Sequence, residues 1–319
     1  MKALFLLSKE DLNLAHAEFR AVMKKESEID KNIVICNCDE DEIKKARKRL
    51  AYANSVFRLL FSCKPTELDK KMQYFDWQSV YKDSFVLRIA EGNKLKPEAY
   101  YAGFVWRKIK NPKVNLKNAK TKIFIICAKK IHIAIFLGEM DKSYLLRRAA
   151  MKPSMHPTAV DPKLAKAMVN LSGAEKNETI ADPFCGTGGI LIEAGFMGMK
   201  TRGTDISKFM LKLADLNLTR NKVKYWHLSE GDARSERIKC DCVVSDLPYG
   251  RNSKITGSLE KLYLDFLLNI KKWKIKKAVV SFPDFTDYKK IIKSAGFKIE
   301  NEFSRYIHKS LTKKILVLK

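Results

Sequence analysis

The chain has 319 residues, enough for two ordinary domains, and 46% of them are apolar, so it can bury a sizeable core. Its formal charge of +26 implies a polyanionic partner, although a solvated lysine-rich surface gives the same total. There is no apolar run of membrane-spanning length, no low-complexity tract and no internal repeat, and the short apolar start does not read as a signal peptide.

From the N-terminus, Ala3–Leu7 reads as a strand and Leu12–Met23 as a helix. Ile33–Cys36 is a second strand and Glu40–Leu50 a second helix, rich in Lys and Arg. This β-α-β-α start is compatible with a small α+β, ferredoxin-like unit. Ser84–Ile89, Lys122–Cys127 and Ile131–Leu137 are further strands. A basic stretch, FVWRKIKNPKVNLKNAKTK, separates the first two of these.

The charge is unevenly spread. Residues 1–83 hold 16 Lys and Arg against 14 Asp and Glu, whereas residues 84–148 hold 15 against 4, a net of +11. A uniformly lysine-rich surface would not concentrate charge in this way. Composition alone does not separate RNA from DNA or from an anionic membrane. Between Gly138 and Met155 the apolar pattern gives way to Gly, Pro and basic residues, which marks a domain boundary. The seven cysteines are scattered, and the pairs Cys36/Cys38 and Cys240/Cys242 lack zinc-knuckle spacing. The expectation is a reduced, cytoplasmic protein with no structural metal.

The second half alternates regularly. Thr179–Asp182, Thr201–Asp205, Tyr225–Glu230, Cys240–Asp246 and Ala278–Phe282 read as strands. Ile190–Met197, Lys208–Arg220, Ser258–Ile270 and Asp287–Ala295 read as the helices between and after them. Such βαβ units imply a parallel, doubly wound α/β sheet. The tail, FKIENEFSRYI and KKILVL, forms two strands without an intervening helix, so the last should run antiparallel.

Two constellations carry chemistry. In ADPFCGTGG, Asp182 ends a strand, and Gly186, Gly188 and Gly189 let the backbone turn sharply beside a ligand. Taken alone, this is equally a plain strand-to-helix turn. Asp205, 23 residues on and at the next strand end, stands where a carboxylate binds ribose hydroxyls. Asp232, after the third strand, is placed to hold an adenine amino group. No Lys-Ser/Thr follows the glycines, so the turn is not a phosphate loop, and an acidic cradle suits S-adenosylmethionine better than a diphosphate. Phe184, Thr187, Ile206 and Ala233 are candidate lining residues beside these carboxylates.

The second constellation is SDLPYG, at the end of the fourth strand. Methylating an aromatic amine requires two acceptors that grip its hydrogens, so that the lone pair leaves conjugation. Asp246 and a backbone carbonyl beside Pro248 supply them, with Tyr249 stacking on the base. A structural strand-end turn is the plainer alternative for this segment taken alone.

Together these motifs resemble class I (Rossmann-like) methyltransferases with an N/D-P-P-F/Y motif, in which Leu247 replaces the first Pro. The segment MKPSMHPTAVDPKLAKAMVNLSG is similar to the one that opens the catalytic domain of THUMP-domain RNA methyltransferases. It is closest to the archaeal tRNA guanosine-N2 methyltransferases acting at position 10. VNLKNAKTKIFIICAKKIHIAIFLG resembles the end of a THUMP module. The resemblance implies a ferredoxin-like unit over 1–55, a THUMP RNA-binding module over 56–140, a linker over 141–154 and a catalytic domain with a seven-stranded sheet over 155–319. It implies tRNA bound by its acceptor end, and relatives in eukaryotic tRNA-modifying complexes point to a small accessory subunit.

It also places Pro157 and Thr158 near the cofactor, Asp182 and Gly186 around its methionine part, Asp205 on its ribose, and Asp246, Pro248 and Tyr249 on guanine N2. Arg107, Lys108, Lys110, Lys113 and Lys117 are the candidate RNA contacts. Rival readings are N2-methylation of another guanosine in the acceptor stem or ribosomal RNA, an adenine or glutamine N-methyltransferase, and a non-catalytic THUMP RNA-binding protein.

Overall fold

The computed structural model describes residues 1–91, 95–147, 160–249, 258–308 and 311–319. Two compact units are present. The first comprises Met1–His16, Met23–Lys48 and Tyr52–Met140, and the second Ala17–Val22, Arg49–Ala51 and Asp141–Lys319.

The first half of the chain builds one seven-stranded sheet. Its strands are β1 (Lys2–Leu7), β2 (Glu28–Asp30), β3 (Ile33–Asn37), β4 (Ala53–Cys63), β5 (Phe85–Ala90), β6 (Thr121–Cys127) and β7 (Ile131–Glu139), in the order β2-β3-β1-β4-β7-β6-β5. Among the described strands of this sheet β5 and β6 pair in parallel and the other neighbours antiparallel. The helices here are α1 (Leu12–Met23), α2 (Glu40–Arg49), α3 (Leu68–Tyr74) and α4 (Glu98–Trp106).

Strand β4 crosses residues 55/56, where the resemblance divides two modules, and pairs with both β1 and β7. Sequence periodicity misses it because its ladder to β7 slips at Val56/Phe57 and Leu59/Phe61. A bulge interrupts the alternation of faces on which a strand is recognised. Trp77 anchors the core under α3 and α4, fully buried, with its indole N–H donating to the Met72 carbonyl at 2.8 Å.

The second unit is the alternating half. In chain order it runs α5 (Pro162–Leu171), β8 (Thr179–Asp182), α6 (Gly189–Phe196), β9 (Lys200–Asp205), α7 (Lys208–Arg220), β10 (Trp226–Glu230) and β11 (Cys242–Asp246), then α8 (Leu259–Lys271), β12 (Lys277–Pro283), α9 (Tyr288–Ser294), β13 (Ile299–His308) and β14 (Leu311–Leu318). The strand and helix ends from β8 onward fall within two residues of the sequence reading.

The sheet order is β10-β9-β8-β11-β12-β14-β13, parallel throughout except for β14, which is antiparallel to both neighbours. From β8 the chain winds outward through β9 and β10, then returns to add β11 and β12 on the other side. The strand order therefore reverses between β8 and β11, and a ligand crevice opens at that point.

Local chemistry sets these elements. Asp161 caps α5 by accepting from the Lys163 and Leu164 amides, with Pro162 in the first turn. Ser207 and Ser258 cap α7 and α8 in the same manner. Val243 and Val244 of β11 and Val279 and Val280 of β12 are all fully buried, as central parallel strands require. Part of the expected linker is a 3-10 turn, Ser143–Arg147, whose Arg147 is buried in a two-point pair with Glu193 of α6 at 2.7 and 2.8 Å. Residues 148–154 of that linker lie outside the described residues. Among the described residues no helix is long and apolar enough to cross a membrane.

Candidate active site

Three carboxylates meet at the ends of the three adjacent strands β9, β8 and β11. Asp182 ends β8. It is buried, and its Oδ1 accepts from Ser245 Oγ at 2.6 Å and from the Phe184 amide at 3.2 Å. Burial pushes its carboxyl up to about 7, and the nearby charges of Asp246 and Asp205 add to the shift.

Asp205 ends β9 and receives the Gly186 amide at 2.9 Å and the Ser207 amide at 2.9 Å. Burial raises its pKa as well. The Gly186 bond ties the glycine turn to the second strand. Gly186 and Gly188 sit at φ +49 and +81, which L side chains rarely adopt, so the turn favours glycine at both. Ile206, next to Asp205, leaves its apolar side chain 57% exposed.

The other expected lining residues make contacts of their own within the fold. Phe184 packs edge-on against Phe266 at 5.1 Å. Thr187 is buried, and its carbonyl accepts from Asn217 Nδ2 at 3.0 Å. Asp232 is gripped by Arg234 from its own loop, Nε lying 3.0 and 2.9 Å from its two oxygens. That hydrogen bond lowers the Asp232 pKa and takes up much of its acceptor capacity. Ala233 is a core residue whose carbonyl accepts from Asn269 Nδ2 at 2.9 Å. Pro157 and Thr158 lie outside the described residues.

Asp246 ends β11. Its Oδ2 accepts from Lys313 Nζ at 2.5 Å, while Oδ1 is buried with no hydrogen-bond partner among the described residues. Tyr249 lies 4.5 Å below that same ammonium. The Pro248 carbonyl accepts from the Tyr263 hydroxyl at 2.5 Å. Burial, with the Asp246 charge, pushes the Tyr263 hydroxyl far up, so it remains a donor. The backbone acceptor next to Asp246 is therefore the Leu247 carbonyl, in a residue whose amide donates to the Ser281 carbonyl at 3.1 Å.

Sequence reasoning missed Ser245, Tyr263 and Lys313. The only trace of Lys313 was its place on the same strand face as Leu311 and Ile315. Among the described residues no group of His, Cys, Asp or Glu is arranged to hold a metal ion.

The candidate RNA contacts lie in the other unit. Arg107, Lys108, Lys110, Lys113 and Lys117 are all exposed on the segment after α4. Ile109 and Ala119 bury its ends, and Phe85 exchanges backbone hydrogen bonds with Lys113 and Asn115 at 2.9 and 3.1 Å. Trp106, Val114 and Leu116 are exposed among the cations.

A doubly wound sheet with this strand order, a glycine turn, strand-end carboxylates and a D-L-P-Y turn defines a class I S-adenosylmethionine-dependent methyltransferase. A family model described as the RMKL-like methyltransferase domain matches residues 149–314. A second, described as DNA methylase, matches residues 13–215 and stops short of the Asp246 turn, so it does not bear on the acceptor.

The tRNA (guanine(10)-N2)-dimethyltransferase of Methanothermobacter thermautotrophicus is 30% identical over 338 residues, covering 100% of this chain and 99% of that protein. The enzyme of the same name from Pyrococcus abyssi is 30% identical and covers 76% of each. The crystal structure of TrmN from Thermus thermophilus superposes with a TM-score of 0.56 at 18% identity, over 100% of this chain and 99% of that one, which speaks for the fold. The chain belongs to the family of the archaeal tRNA (guanine(10)-N2)-dimethyltransferases.

Proposed function

We propose that the chain transfers methyl groups from S-adenosylmethionine to the exocyclic N2 amine of the guanosine at tRNA position 10. The observation that carries the reading is Asp246, a buried strand-end carboxylate with one oxygen tied down and the other unpartnered among the described residues. An acceptor left unsatisfied in a buried site costs stability and is kept where a ligand completes it. The names of the relatives supply the choice of tRNA and of the position.

The residues present fit the cofactor. Gly186 and Gly188 leave the turn free of side chains, Asp205 offers a carboxylate to ribose hydroxyls, and Ile206 offers an apolar surface to the adenine. Asp182 and Gly186 would hold the methionine part. S-adenosylmethionine supplies the methyl group when bound.

The chain's own residues hold the acceptor. Asp246 Oδ1 accepts one N2–H and the Leu247 carbonyl accepts the other, which turns the lone pair out of the ring. Tyr249 stacks on the base, which must leave its pair or stack to enter. Once the nitrogen carries the new methyl it sheds a proton, which passes to Asp246 Oδ1. The effect is positioning and electrostatics rather than covalent catalysis.

The first unit is assigned to tRNA. Its initial β-α-β-β-α-β run, ordered β2-β3-β1-β4, supports a ferredoxin-like unit, and the exposed cations after α4 support an RNA-binding THUMP module. Seven free cysteines accord with a cytoplasmic location.

The test is incubation of the purified chain with labelled S-adenosylmethionine and unmodified tRNA, followed by mapping of the label. Label on N2 of guanosine 10, lost in a folded Asp246→Ala variant, is the expected result. Label at another nucleotide, or undiminished turnover by Asp246→Ala, would refute the assignment.

A further inference from the structure

We infer that Lys313, on the last strand of the sheet, is a positioning residue for the methyl-accepting site. It sets the orientation of both Asp246 and Tyr249. The inference deepens the reading of the Asp246 turn given above and rests on it.

The register brings Lys313 there. Asp246 of β11 pairs with Ser281 of β12, and Ser281 pairs with Ile315 of β14. Paired residues of neighbouring strands share a face, as do residues two apart along one strand. Asp246, Ser281, Ile315 and Lys313 therefore point to the same side. Lys313 itself pairs with Pro283, so its four-carbon stem must cross β12 to reach β11. It does so while only 3% exposed, and it ends 2.5 Å from Asp246 Oδ2 and 4.5 Å from the centre of the Tyr249 ring.

Stability does not account for this lysine. A buried ion pair recovers little more than its desolvation cost, and apolar residues of similar size would serve the fold as well. The geometry supplies the alternative. With Oδ2 held, the carboxylate plane is fixed and Oδ1 is left as the acceptor. The ammonium lies against one face of the Tyr249 ring, where the ring quadrupole attracts it, and the opposite face is left for a base. A single cation thus fixes the hydrogen-bond acceptor and the stacking platform relative to each other. The nearby Ser281 hydroxyl, buried and unpartnered among the described residues, is a second polar group in this corner.

The experiment compares wild type, Lys313→Met, Lys313→Gln, Asp246→Asn and the double variant Asp246→Asn/Lys313→Met, all as full chains. Circular dichroism melting checks the fold. Lys313→Gln keeps a donor toward Oδ2 and is the variant to use if an uncompensated carboxylate unfolds Lys313→Met. The expected result is a fall in kcat on the order of 10²-fold, with KM for tRNA within about threefold of wild type. In the Asp246→Asn background the Lys313 change should cost less than in wild type, the part that acts through Asp246 being already lost and only the part through Tyr249 remaining.

The readout that needs no turnover is the NMR signal of the Tyr249 ring, assigned by its loss in Tyr249→Phe. It should shift when the ammonium is removed. A folded variant that keeps kcat within threefold of wild type, or an unmoved Tyr249 signal, overturns the inference. A moved Tyr249 signal in a chain whose wild type methylates no tRNA would leave the contact standing and refute the function instead.

Discussion

Asp182, wholly buried at the end of β8, has a carboxyl that burial pushes into the neutral range. Its folded pKa of about 7 lies above the roughly 3.9 of an unfolded Asp. Its contribution to stability is therefore fullest below about pH 4 and is lost as pH rises through about 7. Ligand binding runs the other way, since a cationic ligand group gains from the ionised form only. Cofactor affinity should rise by up to about tenfold between pH 6 and 8 in wild type and stay flat in Asp182→Asn. Titration calorimetry at three pH values measures this, and equal slopes for the two proteins would sink it.

At this scale the sequence disclosed Asp182, Asp205 and Asp246, because each ends a strand that periodicity locates. It did not disclose Lys313 or Tyr263. Their roles come from strand register and from a helix packed over the turn, neither of which leaves a local pattern. Asp232 shows what the strand-end position leaves out. Its strand-end position was legible, but the competing partner two residues on, Arg234, takes its carboxylate.

The elements show where periodicity works. From β8 onward the central strands β11 and β12 are buried almost throughout and α7, α8 and α9 are capped by Ser207, Ser258 and Asp287, so pattern and fold agree. In the first sheet they part. The bulges of β4 break its alternation, and β2 is only three residues long.

The turn between β8 and α6 is the element on which the site depends most. Gly188 holds φ +81, and an added Cβ would meet the Ala214 Cβ at 3.4 Å. Gly188→Ala should cost about 1–2 kcal/mol, almost all of it backbone strain rather than a clash. Gly186, at φ +49 with open space around it, should accept Asn at a smaller cost. Urea unfolding of the two variants tests this, and equal loss in Gly188→Ala and Gly186→Asn would contradict it.

For the whole molecule, charge and catalysis fall in different units. The exposed cations Arg107, Lys108 and Lys110 belong to the first, and the acidic crevice to the second. Reversing those three to Glu should weaken tRNA binding at least about tenfold at low salt and flatten its salt dependence. The kcat at saturating tRNA should stay within about twofold. Filter binding across a salt series measures the first effect, and an unchanged slope would remove these residues from the interface.

The sequence by itself determined the parallel sheet, the cofactor turn and the acceptor motif, because alternating burial and strand-end residues are local properties of the chain. Only the tertiary structure decided that β4 joins the N-terminal strands into one sheet, that Tyr263 takes the Pro248 carbonyl and that Lys313 reaches Asp246 across β12. Each of those is a pairing between residues set by register and packing. The chain has no local way to encode which of several nearby partners a polar group will meet.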